Sequence, residues 1–381
     1  MTTDKFLPYG RQSIDDFDIR ELSEALADPI ITRGPRVEAF EKAVAEKCEA
    51  HYAVSFCNGT AALHAAQFAA GIGEYDLMVT TPNTFVGTVV GGVHAGAALR
   101  FTDIDRDSGN IDLDILPETA RFTSTRGRLF VVPVHFAGIA LEMGRLASTI
   151  AHSDVVIIED AAHALGSRYP DGRPVGSCGW SDMTCFSFHP VKTITTGEGG
   201  VVTTNSEELH QKLLSFRSNG IHRVNDPERP WYYEVREITG NYHMTDFQAA
   251  LGLSQLKRLD QFGQSRLECM QAYRQELSGV EGIRMFDPKY DERTVYHLCV
   301  LQIDFENFGK SRAEVMNELK AEGIGTQVHY IPLYHHPAVD GDPLTQMEDY
   351  YEQALSFPLF AELTTEDVKR VCKTLKKVLN I

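Results

Sequence analysis

No apolar run in this chain is long enough to cross a bilayer, so a membrane-spanning helix is not expected. The N-terminal stretch MTTDKFLPYGRQSIDDFDI is polar and acidic and lacks the apolar centre of a secretion signal. No two of the seven cysteines (Cys48, Cys57, Cys178, Cys185, Cys269, Cys299 and Cys372) form a C-x-x-C pair, and their number is odd. A disulfide or metal framework is therefore not expected, and a reduced, cytoplasmic setting is. Positive charge is also short: 36 Lys and Arg face 53 Asp and Glu, a net charge of −17. That deficit argues against nucleic acid or an anionic membrane as a general partner. A small anionic ligand stays open, because a local cluster of donors overrides the overall field. Internal repeats and low-complexity segments are missing. So is the G-x-x-x-x-G-K-[ST] phosphate loop, since in KTITTGEGG the lysine precedes the glycines.

What is present is an alternation. The chain of 381 residues has room for two domains. GPRVEAFEKAVAEKCEA (34–50) has Val37, Phe40, Val44 and Cys48 near helical spacing and Pro35 in its first turn. Short apolar runs follow at 52–56, 77–81, 99–104, 129–136, 155–160, 183–188 and 199–205, with helix-length stretches between most of them. Several runs are apolar on both faces, as a sheet covered by helices requires. The pattern predicts an α/β domain with a mostly parallel central sheet. Beyond residue 205 it predicts a helical stretch at 243–262, strands at 296–304 and 324–330, and a helix at 311–323. These last elements suit a smaller α+β domain. We place the division at 1–260 and 261–381. RVNDPERPWYYEVRE (223–237) reads as a long loop.

Ligands of open α/β sheets sit beyond the carboxyl ends of the strands, so the polar residues there carry the functional question. Four features stand at such ends. Lys192, in CFSFHPVKTITTGEGG, can be a Schiff-base anchor for a carbonyl compound or an ordinary surface lysine. Asp160 ends DVVIIED, where it can pair a protonated ring nitrogen or merely terminate a strand in solvent. CNGTAALHAA (57–66) opens a helix after a strand. Its free N–H groups and the Thr60 hydroxyl can hold an anion, or Asn58 or Thr60 can be a plain N-cap. TTPNTFVGT (80–88) offers Phe85 as a stacking face or a core side chain. Together they supply an anchor, a ring-nitrogen partner, a phosphate cradle and a stacking face, which are the needs of pyridoxal 5'-phosphate (PLP).

FSFHPVKTITTGEGG resembles the lysine motif of the DegT/StrS family of sugar-nucleotide aminotransferases. ITRGPRVEAFE, NGTAALHAA, TPNTFVGT, GNID, EDAAHALGS, GNYHMTDFQAALGLSQLKRLD and GIGTQVHYIPLY extend the resemblance along nearly the whole chain. It implies a fold-type I, aspartate-aminotransferase-like architecture. It also implies a homodimer with active sites shared at the interface. Under it, Lys192 would hold PLP covalently and move protons, and Asp160 would pair the pyridinium. His163 would sit by the ring and its phenolic oxygen, and Phe85 would stack. Thr60, the Ala61 N–H and Ser187 would hold the phosphate, and Asn241 would reach the partner's phosphate. Arg33 can meet a diphosphate or carboxylate of the substrate or lie on a solvated face, and His329 and Tyr330 are candidate substrate contacts.

AHALGS, FAG (136–138), LGLSQLK and QVHYIPLY are similar to the pseudaminic acid branch of that family. Its members aminate the 4-keto position of a UDP-linked 4-keto-6-deoxy-N-acetylhexosamine with L-glutamate as donor. VHFAG departs from the LYG-type sequence of other branches. The bacillosamine, legionaminic and dTDP-sugar branches share most of the machinery and remain alternatives. A related PLP-dependent sugar dehydratase would carry His where Lys192 stands. Arg217 and His222 can belong to an anion site or to a polar helix end. His329, His335 and His336 lack the Cys or acidic company of a metal site, so no metal is expected.

Overall fold

The structure, a computed structural model, describes residues 6–121, 126–150 and 155–381. The first five residues of the polar N-terminal stretch lie outside this set. Seven strands form the central sheet: β1 Tyr52–Phe56, β2 Leu77–Thr80, β3 Ala98–Phe101, β4 Leu129–Val132, β5 Val155–Asp160, β6 Met183–Ser187 and β7 Gly200–Thr204. Their order is β1-β7-β6-β5-β4-β2-β3. All neighbours are parallel except β7, which runs against both β1 and β6. Strands β2, β4 and β7 are buried along their whole length, because helices cover both faces.

The helices start where the sequence provides caps. Helix α1 (Asp16–Ala27) opens on an Asp15/Asp18 capping box. Helix α2 (Pro35–Cys48) has proline in its first turn and buries Val37, Phe40, Val44 and Cys48. Helix α3 (Gly59–Ala69) follows β1 directly, with Asn58 as its N-cap. A second sheet of three antiparallel strands, β10 Ile283–Arg284, β11 Cys299–Ile303 and β12 Ala354–Phe357, lies C-terminal to the first. The C-terminal helix Thr365–Leu379 buries Val368, Val371, Cys372, Leu375 and Val378, and that spacing of three and four makes one apolar stripe.

Three expectations are corrected. Residues 324–330 do not form a strand. They make isolated bridges to two different partners, Ile324 to Leu7 and Gln327 to Ser356, and so never build a ladder. Residues 223–237 are not all loop. β8 (Ile221–Arg223) and β9 (Tyr233–Val235) pair as a hairpin whose three-residue strands are too short to show a period of two. The stretch 243–262 is two helices, Asp246–Leu256 and one starting at Leu259. Arg258 leaves helical geometry between them, at φ −105° and ψ 3°, where its guanidinium meets Asp15 and Asp18.

One buried anion ties β5 to its surroundings. Glu159 is fully buried and accepts from Tyr169 Oη at 2.7 Å, Thr184 Oγ1 at 3.0 Å and Ser181, while His135 Nε2 lies at 2.6 Å. Burial pushes its carboxyl up, but the His135, Ser181 and Tyr169 bonds outweigh that and leave it below the ordinary value of 4.5. Such a group stabilises the fold above its unfolded pKa, and the contribution is lost as pH falls through the lower folded value. Glu159→Gln is therefore expected to cost about 2–4 kcal/mol near neutrality. The gap from the parent protein should narrow below pH 4.5. Denaturant melts at both pH values check this, and a gap that widens in acid would refute it.

Candidate active site

The C-terminal ends of β1, β2, β4, β5 and β6 and the start of β7 meet at one edge of the sheet. A cavity of about 850 Å3 opens there, lined by Thr60, Phe85, Thr88, Asp160, His163, Ser187, Lys192, His297, His329 and Tyr330 among others. The strand-end residues singled out in the sequence thus converge, although they come from distant parts of the chain.

Lys192 sits in a turn after β6. Its N–H donates to His189 O at 2.9 Å. The threonines that follow hold the return: Thr195 Oγ1 donates to Phe188 O at 2.9 Å, and Thr196 Oγ1 donates to Glu198 O at 2.7 Å. Gly197 adopts φ +80°, which any side chain would resist. Among the described residues the Lys192 ammonium has no ion pair. Burial pushes its pKa down to about 8, with Asp160 opposing.

Asp160 is buried at the end of β5. Its Oδ2 accepts from Thr88 Oγ1 at 2.6 Å and its Oδ1 from the Ala162 N–H at 3.1 Å. Thr88 in turn lies 2.6 Å from Thr84 Oγ1. Since Thr88 spends its proton on Asp160, Thr84 is the donor of that pair. This threonine relay was not anticipated, although TTPNTFVGT contains both members.

At β1 the backbone approaches β7 closely. A Cβ on Gly200 would stand 2.5 Å from Asn58 O and 2.9 Å from Gly59 Cα. Both are backbone atoms and cannot swing away. Gly200→Ala is expected to cost about 1–3 kcal/mol and to weaken cofactor retention, measured by thermal melts and by absorbance after dialysis. In α3 the Asn58 side chain caps the Ala61 N–H at 2.8 Å, so the plain N-cap reading holds for Asn58. Thr60 and Ser187 line the cavity beside it. Phe85 is 59% exposed at the cavity mouth, so it is not a core side chain.

Three histidines surround the lysine. His163 accepts the Ala137 N–H on Nδ1 at 3.3 Å, and its Nε2 lies 3.1 Å from Tyr330 Oη. His297, which the sequence showed only as part of a strand, packs on His163 with ring centroids 4.3 Å apart. His329 Nδ1 lies 2.8 Å from Ser356 Oγ. Burial, then Lys192, holds His329 at about 3. The same two causes hold His163 well below its ordinary value, with His329 adding to them. Burial, then His163 and Lys192, holds His297 well below its ordinary value too, so all three rings are neutral near pH 7.

Arg33 and Asn241 are exposed and do not line the cavity of their own chain. Arg217 is engaged by Glu41 and by Ser55 O at 3.2 Å, and His222 Nε2 lies 3.1 Å from Ser215 Oγ. These two are structural contacts at a helix end. His335 pairs with Glu348 at 3.0 Å, apart from His329. Among the described residues no group of three or more His, Cys, Asp or Glu side chains is arranged to hold a metal.

The donor set fits PLP. A primary amine and a buried carboxylate face one cavity, and a glycine-framed helix start with two hydroxyls lies beside them. With a seven-stranded, mostly parallel sheet beneath, the chain is a fold-type I PLP-dependent aminotransferase. It belongs to the DegT/DnrJ/EryC1/StrS aminotransferase family, whose profile matches residues 12–376. It is 37% identical to the UDP-4-amino-4,6-dideoxy-N-acetyl-beta-L-altrosamine transaminase of Campylobacter jejuni, over 98% of this chain and 97% of that one. It is 36% identical to the spore coat polysaccharide biosynthesis protein SpsC of Bacillus subtilis, with the same coverage. Among solved structures, Helicobacter pylori PseC, an aminotransferase of pseudaminic acid biosynthesis, matches with a TM-score of 0.90 at 30% identity. That match covers 99% of this chain and 100% of the other. The PLP form of Streptococcus pneumoniae Spr1654 matches with a TM-score of 0.87 at 27% identity, covering 98% and 99%.

Proposed function

We propose that the protein moves an amino group from L-glutamate to the 4-keto position of a UDP-linked 4-keto-6-deoxy-N-acetylhexosamine. The observation that carries the reaction is the convergence of Lys192 and Asp160 on one cavity. Support for the acceptor is the full-length likeness to the Campylobacter jejuni transaminase and to Helicobacter pylori PseC.

Bound PLP supplies an electron sink for the charge left when a proton is removed beside the transferred nitrogen. Lys192 anchors the cofactor and, once released, carries that proton. Asp160, fixed by Thr88 and the Ala162 N–H, keeps the ring nitrogen protonated. Thr60, Ser187 and the start of α3 receive the phosphate, and Phe85 covers the ring. His163 would stand by the ring's phenolic oxygen. Tyr330 and His329 line the same cavity and would meet the sugar.

Arg33 and Asn241 are proposed to act on the partner's site in a homodimer. Their place outside their own cavity supports this, and so does the exposure of Trp231 (73%) and Ile238 (91%) in and beside the β8–β9 hairpin. We keep 1–260 and 261–381 as the large and small domains; the two sheets fall on either side of that division. A cytoplasmic setting suits the seven free cysteines.

The test is a panel of enzymatically made UDP- and dTDP-4-keto sugars, incubated with PLP-loaded protein and glutamate and read by mass spectrometry. Amination of the UDP-4-keto-6-deoxy-N-acetyl sugar is the expected result. Preferential amination of another sugar would move the assignment to the bacillosamine, legionaminic or dTDP branch. Loss of the keto sugar's hydroxyl without amination would make the protein a dehydratase.

A further inference from the structure

Ala137 is fully buried and sits in the left-handed region, at φ 56° and ψ 9°. A non-glycine residue there is strained, and such strain persists where the surroundings impose it. The surroundings here are specific. The buried Asn110 amide brackets the turn: its Oδ1 accepts the Phe136 N–H at 2.8 Å and its Nδ2 donates to Ile139 O at 2.9 Å. The Ala137 carbonyl accepts the His297 N–H at 2.8 Å. Held from both sides, the Ala137 N–H points at His163 Nδ1.

A backbone N–H can only donate, so His163 Nδ1 carries no proton. A neutral imidazole must then carry it on Nε2. Nε2 lies against Tyr330 Oη, so the tyrosine oxygen accepts and its own proton is not spent on His163. Asn83 fixes the tyrosine's backbone, accepting the Tyr330 N–H at 3.2 Å while donating to Gly109 O at 3.0 Å. Burial raises the Tyr330 hydroxyl far above its ordinary value, so it stays protonated.

We propose that Asn110 and Ala137 are positioning groups that hold His163 as the Nε2–H tautomer, leaving the Tyr330 hydroxyl to donate to an oxygen of the substrate in the cavity. The GNID and FAG motifs, which the reaction itself leaves unused, thereby gain a role. The substrate part rests on the sugar aminotransferase reading above; the tautomer part does not.

The first measurement uses cofactor-loaded protein with 15N-labelled histidine, His163 being assigned by its loss in His163→Gln. The expected spectrum shows a proton-free Nδ1 and a protonated Nε2 that stay unchanged across neutral pH. Asn110→Asp keeps the bond from Phe136 but cannot donate to Ile139. That variant should give mixed tautomers while still retaining cofactor, whereas Ala137→Gly keeps the N–H and suits the left-handed region, so it should leave the spectrum unchanged. A protonated Nδ1 in the parent protein, or an unchanged spectrum in Asn110→Asp, would overturn the proposal. The second measurement separates the half-reactions. Tyr330→Phe should slow transfer to the keto sugar about 10–100-fold more than transfer from glutamate. Equal slowing of the two would remove Tyr330 as a substrate donor. If the parent protein aminates no sugar, the sugar reading falls and the substrate part with it, while the histidine spectrum still decides the tautomer.

Discussion

Lys192→Ala is expected to abolish covalent capture of the cofactor and to lower both half-reactions by a factor on the order of 10⁴ or more. The side chain has two duties, and no neighbour can assume either. His163 and His329 are held neutral and engaged elsewhere, His297 is held neutral, and among the described residues no second lysine lines the cavity. Borohydride treatment followed by intact-mass analysis reads the capture, and single-turnover absorbance reads the rate. Borohydride-fixed cofactor in the Lys192→Ala protein would show that another amine is the anchor. The pH dependence adds a second check. The neutral amine is the reactive form, so capture by cofactor-free protein should rise with pH and level off above about 8, the value to which burial lowers Lys192. A midpoint near the ordinary 10.5 would mean that the amine is solvated.

Asp160→Asn should lower kcat by a factor on the order of 10²–10³, because a fixed charge opposite the ring nitrogen is lost. The geometry makes this substitution harsher than its size suggests. Both carboxylate oxygens accept hydrogen bonds, from Thr88 and from the Ala162 N–H. An amide has one acceptor oxygen, so one of these donors would face an NH₂ group, at about 1–3 kcal/mol. Asp160 also supports the charged form of Lys192, so the capture midpoint should move below that of the parent protein. Three readouts follow: kcat, melting temperature and capture pH. A variant that keeps parental kcat would remove Asp160 from the chemistry. Thr88→Val should show the same pattern more weakly, since Asp160 keeps its charge and its second bond.

The parts of the site legible in the sequence were those that follow a strand directly. Lys192, Asp160 and Thr60 lie within a few residues of strongly apolar runs, and strand ends collect ligands in open sheets. Thr88, Asn83, Asn110 and His297 were not read as site residues. Each acts through a partner distant in sequence: Thr88 on Asp160, Asn83 on Tyr330, Asn110 on the 136–139 turn and His297 on His163. Hydrogen-bonding polar residues in turns are common, and nothing local marks one whose partner lies 26 to 247 residues away. The same limit explains the misread segment at 324–330. Its alternation suits a strand, but its bonds go one at a time to Leu7 and Ser356.

The sequence by itself determined the strand and helix alternation of the central sheet, the apolar faces and the chemistry available, because periodicity, caps and reactive side chains are local properties. It also carried the family, since motifs in a fixed order persist along nearly the whole chain. Only the tertiary structure decided the protonation states. The depressed pKa of Lys192 comes from burial that no single segment provides. The tautomer of His163 depends on a backbone N–H from the 136–138 turn and a hydroxyl at residue 330. Charge and hydrogen-bond direction are set by what surrounds a group, and the surroundings exist only once distant strands have packed.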